Sequence, residues 1–285
     1  MRTAGHVVSS VLAAATVLTA APLALAQAPV PGEAAPRSGK EFIPTPVFSE
    51  EEDRTLLAMF EGLRVADVTD GMDALGRQNV GLMDPAVRPL WKDTRDYSHR
   101  FVGIAVTARY VPTQRPAAGQ RPVEDYDRWS GEWYNTLSPE PFQDLIRPGT
   151  ALVIDDAERA DVGSIGSNNI MAWKVRGAVG VVTDATARDT DEIATEKMPL
   201  YFRGPGRGIR PGRNEIESVN RPIVCGGVLV VPGDVIVADG DGVLVVPRAV
   251  AADAARYAKR ILEGDKEGRR KLYEKLGLPK DKSVE

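Results

Sequence analysis

The stretch from residue 168 to residue 189 constrains this chain more than any other. NNIMAWKVR reads as a short helix over 168–176, and Gly177 is its C-terminal stop. Ala178–Thr183 (AVGVVT) follows at once as an apolar, β-branched run. Such a run belongs to a strand covered on both faces, as in a helix-flanked parallel sheet. The strand exits into DATARD, residues 184–189. In α/β folds ligands gather beyond the carboxyl ends of strands, so polar residues at this exit are well placed for chemistry.

The rest of the chain reads as mixed α/β around this unit. Ser49 and Glu52 have capping-box spacing, and Leu56, Leu57, Phe60 and Leu63 recur at helical intervals, predicting a helix over 50–62. VADVTDGMDALG predicts a second helix over 65–76, with Asp70 and Asp73 as surface or capping residues. Strands are predicted at 101–111, 151–154, 222–231, 234–238 and 242–246, and a long Ala-rich helix over 249–262. Residues 113–147 are polar and Pro-rich and predict a long loop. There Trp129, Trp133 and Tyr134 either line a lid or, as we favour, anchor the loop. These features predict one domain over 48–264, followed by a charged helical tail at 265–285.

The N-terminus has a different character. Arg2 and His6 precede an apolar stretch over 7–21, and Ala24-Leu25-Ala26 fits the small-x-small pattern of a signal-peptidase site. A signal peptide at 1–26 is therefore expected, followed by a Pro-rich linker at 27–47 and a periplasmic or secreted location. The stretch is too short and Ala-rich for a stable membrane span, although an uncleaved anchor is the alternative. Beyond residue 26 there is a single cysteine, Cys225, so no internal disulfide can form. Its apolar, Gly-flanked setting suits a small buried residue better than a nucleophile. A net charge of -4 and the lack of a basic stripe give no electrostatic case for nucleic-acid binding.

Several chemistries can be set aside. Beyond the leader His99 is the one histidine, and it lacks a G-x-S-x-G elbow, so a serine triad and His-rich zinc sites are excluded. No P-loop occurs, and the glycines at 204–212 do not follow a strand and open a helix. What remains is Arg188 beside Asp189. A guanidinium can grip a carboxylate or enolate oxygen through two parallel hydrogen bonds. A carboxylate can hold a hard divalent cation that keeps several of its waters. On residue types alone, the pair reads equally as a solvated loop.

The wider context is more specific. Four blocks occur in order: VADVTDGMDALG at 65–76, RPGTALVID at 147–155, GSIGSNNIMAWKVRGAVGVVTDATARDTDEI at 163–193 and GGVLVVPGDVIVADGDGVLVVP at 226–247. Together they resemble the RraA-like family. That family includes 4-hydroxy-4-methyl-2-oxoglutarate/4-carboxy-4-hydroxy-2-oxoadipate aldolases and the RraA regulators of ribonuclease E. The resemblance implies a swivelling-type α/β domain, with N-terminal helices and a C-terminal helix, assembled as a homotrimer or a pair of trimers.

In the aldolases the aspartate matching Asp189 binds Mg²⁺ or Mn²⁺, largely through waters. The arginine matching Arg188 contacts the pyruvyl oxygens, and the aspartate matching Asp184 supports metal-bound water. Backbone amides matching Gly166, Ser167, Asn168 and Asn169 hold the pyruvyl carboxylate, as a helix N-terminus can. Two departures stand out: Ser167 replaces the family's glutamate, and Ala185 replaces a glycine. Asp239 and Asp241 match the last block, but a strand-connecting turn explains them as well. The implied function is a metal-dependent lyase, aldolase or decarboxylase, acting on a 2-oxo acid with a 4-hydroxy or 4-carboxylate group and releasing pyruvate. With no histidine at hand, proton transfer would fall to metal-bound water. The alternative is a non-catalytic protein that binds a small carboxylate or regulates a partner.

Overall fold

The computed structural model describes residues 41–156 and 161–284. The expected signal peptide, and all of the expected linker up to residue 40, lie outside the described residues. In chain order the elements are α1 (Glu50–Met59), α2 (Val65–Ala74), β1 (Arg88–Pro89), β2 (Phe101–Pro112), α3 (Val123–Thr136), a 3-10 turn (Pro141–Leu145), β3 (Thr150–Asp155), β4 (Gly163–Ile165), α4 (Ser167–Arg176), β5 (Ala178–Thr183), β6 (Thr186–Ala187), α5 (Thr190–Glu196), β7 (Leu200–Phe202), β8 (Gly204–Pro205), β9 (Asn214–Val219), β10 (Ile223–Cys225), β11 (Val228–Val230), β12 (Val235–Asp239), β13 (Gly242–Val246) and α6 (Arg248–Leu276).

The main sheet runs β1-β7-β5-β3-β2-β12-β13. β2, β3, β5 and β7 are parallel neighbours, while β12 and β13 add an antiparallel flank. β2 serves two partners along one edge: residues 101–104 pair with β12, and residues 108–112 pair with β9. All six residues of β3 are buried, as expected for a central strand covered on both sides. On one face, Leu152, Ile154 and Val181 pack with Ile170 and Trp173 of α4 and Ile193 of α5. Ile104, Val235 and Leu244 meet α1, α2 and α6. On the other, Ala151, Val153 and Val182 pack with Ile223 and Cys225 of β10 and Val230 of β11. The chain is thus an α/β domain with N-terminal helices and a C-terminal helix.

Local signals explain where the helices begin and end. Ser49 and Glu52 form the expected capping box on α1. Gly177 ends α4 at φ +112°, a conformation that favours glycine. Asp239 does more than connect strands, since its Oδ2 accepts the Val65 amide at the start of α2, at 2.8 Å. Asp70 and Asp73 are exposed on α2.

Three segments differ from expectation. The predicted loop at 113–147 contains α3 and the 3-10 turn. Its apolar stripe is purely aromatic, Tyr126, Trp129 and Trp133 at i, i+3 and i+7, with successive ring centroids 5.7 and 5.8 Å apart. Trp133 is the anchor, buried and donating from Nε1 to the Asn214 carbonyl at 2.9 Å. The single strand predicted over 222–231 is instead the β10–β11 hairpin, folded at Gly226 and Gly227, both with positive φ. The last helix continues to Leu276 through residues assigned to a separate tail, passing Gly264 and Gly268 without a break.

The α2–α6 contact is set by small residues. Ala251, Ala254, Ala255 and Ala258 form the buried ridge of α6, and a Cβ on Gly71 of α2 would lie 2.6 Å from the Ala254 carbonyl oxygen. Neither backbone can yield locally, so Gly71→Ala should cost about 1–3 kcal/mol. Chemical denaturation should show a lowered midpoint with an unchanged m-value. A midpoint equal to wild type would mean the helices separate freely.

Candidate functional site

β4 leads through Gly166 into α4, and β6 leads into Arg188 and Asp189, the residue that opens α5. β4 and β6 run parallel, and the Arg188 amide donates to the Ile165 carbonyl at 2.8 Å. The two loops are therefore laced side by side. Glycine leaves room at two points of that lacing. A Cβ on Gly163 would lie 2.6 Å from the Arg188 Cβ, and one on Gly166 would lie 2.7 Å from Asp189 Oδ2. With no side chain there, the Asp189 carboxylate reaches the first turn of α4, and Oδ2 accepts the Ser167 amide at 3.2 Å. Asp189 itself adopts φ +56°, ψ 39°, a left-handed conformation that aspartate tolerates better than most residues.

The Arg188–Asp189 pair is loose and half-open. Nε and Oδ2 are 3.8 Å apart, and the two side chains are 38% and 37% exposed. A pair this accessible adds little stability, so both groups remain available to a ligand. Beside them, the first intrahelical bond of α4 is Ile170 N to the Gly166 carbonyl. The Gly166 amide is taken by Asn169 Oδ1 at 3.2 Å, and the Ser167 amide by Asp189. The Asn168 and Asn169 amides have no intrahelical acceptor and carry the positive end of the helix dipole. Gly166, Ser167, Asn168, Asn169, Arg188 and Asp189 thus form one cluster.

Asp184 follows the β5 strand end and has a buried partner of its own. It is 8% exposed, and its Oδ2 accepts the Gly226 amide of the β10–β11 turn at 3.1 Å. Its Oδ1 is buried without a partner among the described residues. Burial pushes its carboxyl above the ordinary aspartate range, against the Gly226 hydrogen bond and the charge of Arg203. Cys225 next to it is fully buried, which pushes the thiol well up and makes it a poor nucleophile. His99 is also buried. Its Nε2 accepts the Leu200 amide at 3.2 Å, and desolvation lowers its pKa to about 4.

Three further residues converge on the cluster: Tyr134, read in sequence as part of a lid or a loop anchor, and Glu140 and Arg210, which carried no chemical signature. Glu140 Oε1 accepts Asn169 Nδ2 at 2.7 Å, and Arg210, 2% exposed, pairs with the same oxygen at 2.8 Å. Tyr134 of α3 feels the charges of Arg210 and Arg188, which oppose the rise in its phenol pKa caused by burial. The aromatic content of α3 was a clue to Tyr134; Glu140 and Arg210 had none.

Among the described residues, no three His, Cys, Asp or Glu side chains converge on a point that could hold an ion. Asp189 is the one carboxylate among the six residues of the cluster, and the nearby Glu140 carboxylate is taken up by Asn169, Arg210, Trp173 and Gln143. Such a donor set is too sparse for a structural Zn²⁺. It fits Mg²⁺ or Mn²⁺ held by one carboxylate, with waters and ligand oxygens completing the shell.

The buried Asp184 has a pH signature. Its stability contribution belongs to the neutral carboxyl. It is fully present below the ordinary value of 3.8 and is lost as pH rises through the higher folded value. Asparagine keeps an oxygen for the Gly226 amide and never ionises. Between about pH 4 and pH 7, the denaturation midpoint of Asp184→Asn should therefore fall less than that of wild type. Parallel profiles would show that Asp184 is ionised at no cost.

The comparisons with known proteins agree with this frame. The RraA-like family, described as Aldolase/RraA, matches residues 65–245. The protein DlpA of Legionella pneumophila is 27% identical over 221 residues, covering 73% of this chain and 30% of DlpA. A 4-hydroxy-4-methyl-2-oxoglutarate aldolase of Thermus thermophilus is 30% identical over 102 residues, 35% of this chain and 60% of that enzyme. The chain therefore spans less than two thirds of the length of either relative. Among solved structures, Streptomyces coelicolor RraAS2, an unusual member of the RNase ES inhibitor RraA protein family, shares the fold. Its TM-score is 0.59 at 24% identity, over 76% of this chain and 96% of RraAS2. No helix among the described residues is long and apolar enough to cross a membrane. With its order of elements, its laced β4–β6 loops and a family match across most of the folded region, the chain belongs to the RraA-like family.

Proposed function

We propose that this chain is a divalent-metal-dependent carbon–carbon lyase that releases pyruvate from 2-oxo acids carrying a 4-hydroxy or 4-carboxylate group. The observation that carries this reading is the joint placement of Arg188 and Asp189 against the open amides of α4. Cleavage of the bond between C3 and C4 of such an acid leaves an electron pair that must be spread onto the 2-oxo oxygen. A group that meets this charge better than it meets the neutral ketone lowers the barrier.

In this reading the substrate's C1 carboxylate docks on the Asn168 and Asn169 amides, where N–H groups without an intrahelical acceptor and the helix dipole both favour an anion. Arg188 reaches the 2-oxo oxygen from the adjoining loop and stabilises the charge that grows there. Asp189 would hold Mg²⁺ or Mn²⁺, which, when bound, acts as a Lewis acid on the same carbonyl. The Ser167 hydrogen bond fixes one carboxylate oxygen of Asp189 and leaves the orientation of the other defined. Asp184 acts at one remove, ordering the turn from which β6 carries Arg188. The half-exposed side of the cluster would be closed by a neighbouring subunit in a homotrimer or a pair of trimers. The export signal read at residues 1–26 would place the reaction in the periplasm or outside the cell.

A second reading is favoured by one specific residue. Ser167 stands where the family's glutamate would add a second acid, so the cluster could receive a small carboxylate without turning it over.

A coupled pyruvate-release assay on oxaloacetate and 4-hydroxy-2-oxo diacids, run with Mg²⁺, Mn²⁺ or EDTA, separates the two. Metal-dependent release is expected, reduced roughly 10²–10³-fold in Arg188→Ala and Asp189→Ala, in line with the loss of one oxyanion-stabilising group. Release that ignores EDTA, or survives both substitutions, would rule out this mechanism. No release from any substrate would point to the binder. Ser167→Glu should lower the Mg²⁺ concentration that gives half-maximal release, and an unchanged titration would place residue 167 outside the cation's reach.

A further inference from the structure

The segment between β2 and β3 places Glu140 against the cluster, and its carboxylate gathers four donors. Oε1 receives Asn169 Nδ2 at 2.7 Å and Arg210 Nη1 at 2.8 Å. Oε2 receives Trp173 Nε1 at 3.0 Å and Gln143 Nε2 at 2.5 Å. Asn169 and Trp173 lie one turn apart on α4, so one carboxylate grips that helix at two points. Arg210 in turn holds the strand leading into α4. Its Nε donates to the Ser164 carbonyl at 2.9 Å, and its Nη1 reaches Tyr110 Oη at 3.2 Å, with the guanidinium 4.7 Å from the Tyr110 ring centroid. The turn Ser164–Asn169 is therefore held on its strand side by Arg210 and on its helix side by Glu140, and the two holders are bonded to each other.

Arg210 is 2% exposed in its side chain and Glu140 10%. Burying such a pair costs desolvation that its mutual attraction roughly repays, so net stability is a weak reason for its presence. Arg210 Nη2 is buried without a partner among the described residues, so the pair is not saturated; what its remaining bonds provide in a dry setting is fixed geometry. Here that geometry passes through Asn169, whose Oδ1 accepts the Gly166 amide. The two amides that remain open are those proposed to dock the substrate carboxylate. We propose that Glu140 and Arg210 are positioning residues, a buried clamp that sets the direction of the Asn168 and Asn169 amides. Its bearing on substrate rests on the proposed function; its bearing on the turn does not. The clamp gives the segment between β2 and β3 a purpose: with serine at 167, the order of this turn comes from Glu140, supplied from outside it.

Glu140→Gln tests the clamp, because a carboxamide of the same shape must present an NH₂ to at least one of the four donors. Hydrogen–deuterium exchange of peptides covering residues 163–173 should be about tenfold faster in this variant, with the β5 peptide unchanged. With Mg²⁺ present, oxalate, a mimic of the pyruvate enolate, should bind about tenfold more weakly by calorimetry. The turnover assay should show a larger change in KM than in kcat. Unchanged exchange across 163–173 would overturn the clamp, as would a lowered thermal midpoint accompanied by wild-type exchange and oxalate affinity. If Glu140→Gln does not fold, Asn169→Ala, at a half-exposed position, removes one of the two Glu140 grips on α4 together with the acceptor of the Gly166 amide, and is judged by the same readouts. If wild type neither binds oxalate nor releases pyruvate, the proposed function fails, while the exchange comparison still decides the clamp.

Discussion

The site depends on how closely two backbones approach one another. Gly163 and Gly166 carry no side chains where Arg188 and Asp189 pass, and any Cβ there would fall inside contact distance. That closeness lets Asp189 reach the Ser167 amide and puts a cation, an anion and open helix amides in one place. Polar groups concentrated in this way are costly unless something fixes them. Here the fixing comes from backbone lacing between β4 and β6 and from the buried Glu140–Arg210 pair.

Charge is distributed unevenly around the cluster. The accessible pair, Arg188 and Asp189, is weakly coupled and left for a ligand. The buried groups nearby have fixed partners: Asp156 bonds Asn214 and Ser164, and Asp184 holds the Gly226 amide through one oxygen. Burial raises the carboxyl pKa of both aspartates. Groups of the first kind can change partners during a reaction, whereas those of the second keep the walls still.

Much of this was legible in the residues. The unbroken apolar run at 178–183, the Gly177 stop and the Ser49–Glu52 box each express a local rule, and local rules survive folding. The arginine–aspartate pair was legible because it follows a strand directly. The errors have physical causes too. Residues 113–147 carry so much Pro and charge that three aromatics at helical spacing did not register as a stripe. Gly226-Gly227 looked like the entrance to one strand, but two successive residues at positive φ reverse the chain. Glu140 and Arg210 could not be found at all, since a buried ion pair 70 residues apart leaves no periodicity in sequence. The Gly226 partner of Asp184 likewise comes from tertiary contact, through an amide 42 residues downstream.

The divided edge of β2 has a consequence for how this fold can diverge. Its two halves are matched by β12 and β9, while the connection from β2 to β3 leaves after Pro112 and returns at Thr150 to a parallel neighbour on the other edge. Closing so long an excursion carries an entropic cost that grows only with the logarithm of its length. Extra chain between β2 and β3 is therefore tolerated cheaply, and it emerges on the side of the molecule where α4 begins. Lengthening this one connection would remodel the surroundings of the two backbone loops without disturbing the sheet that holds them.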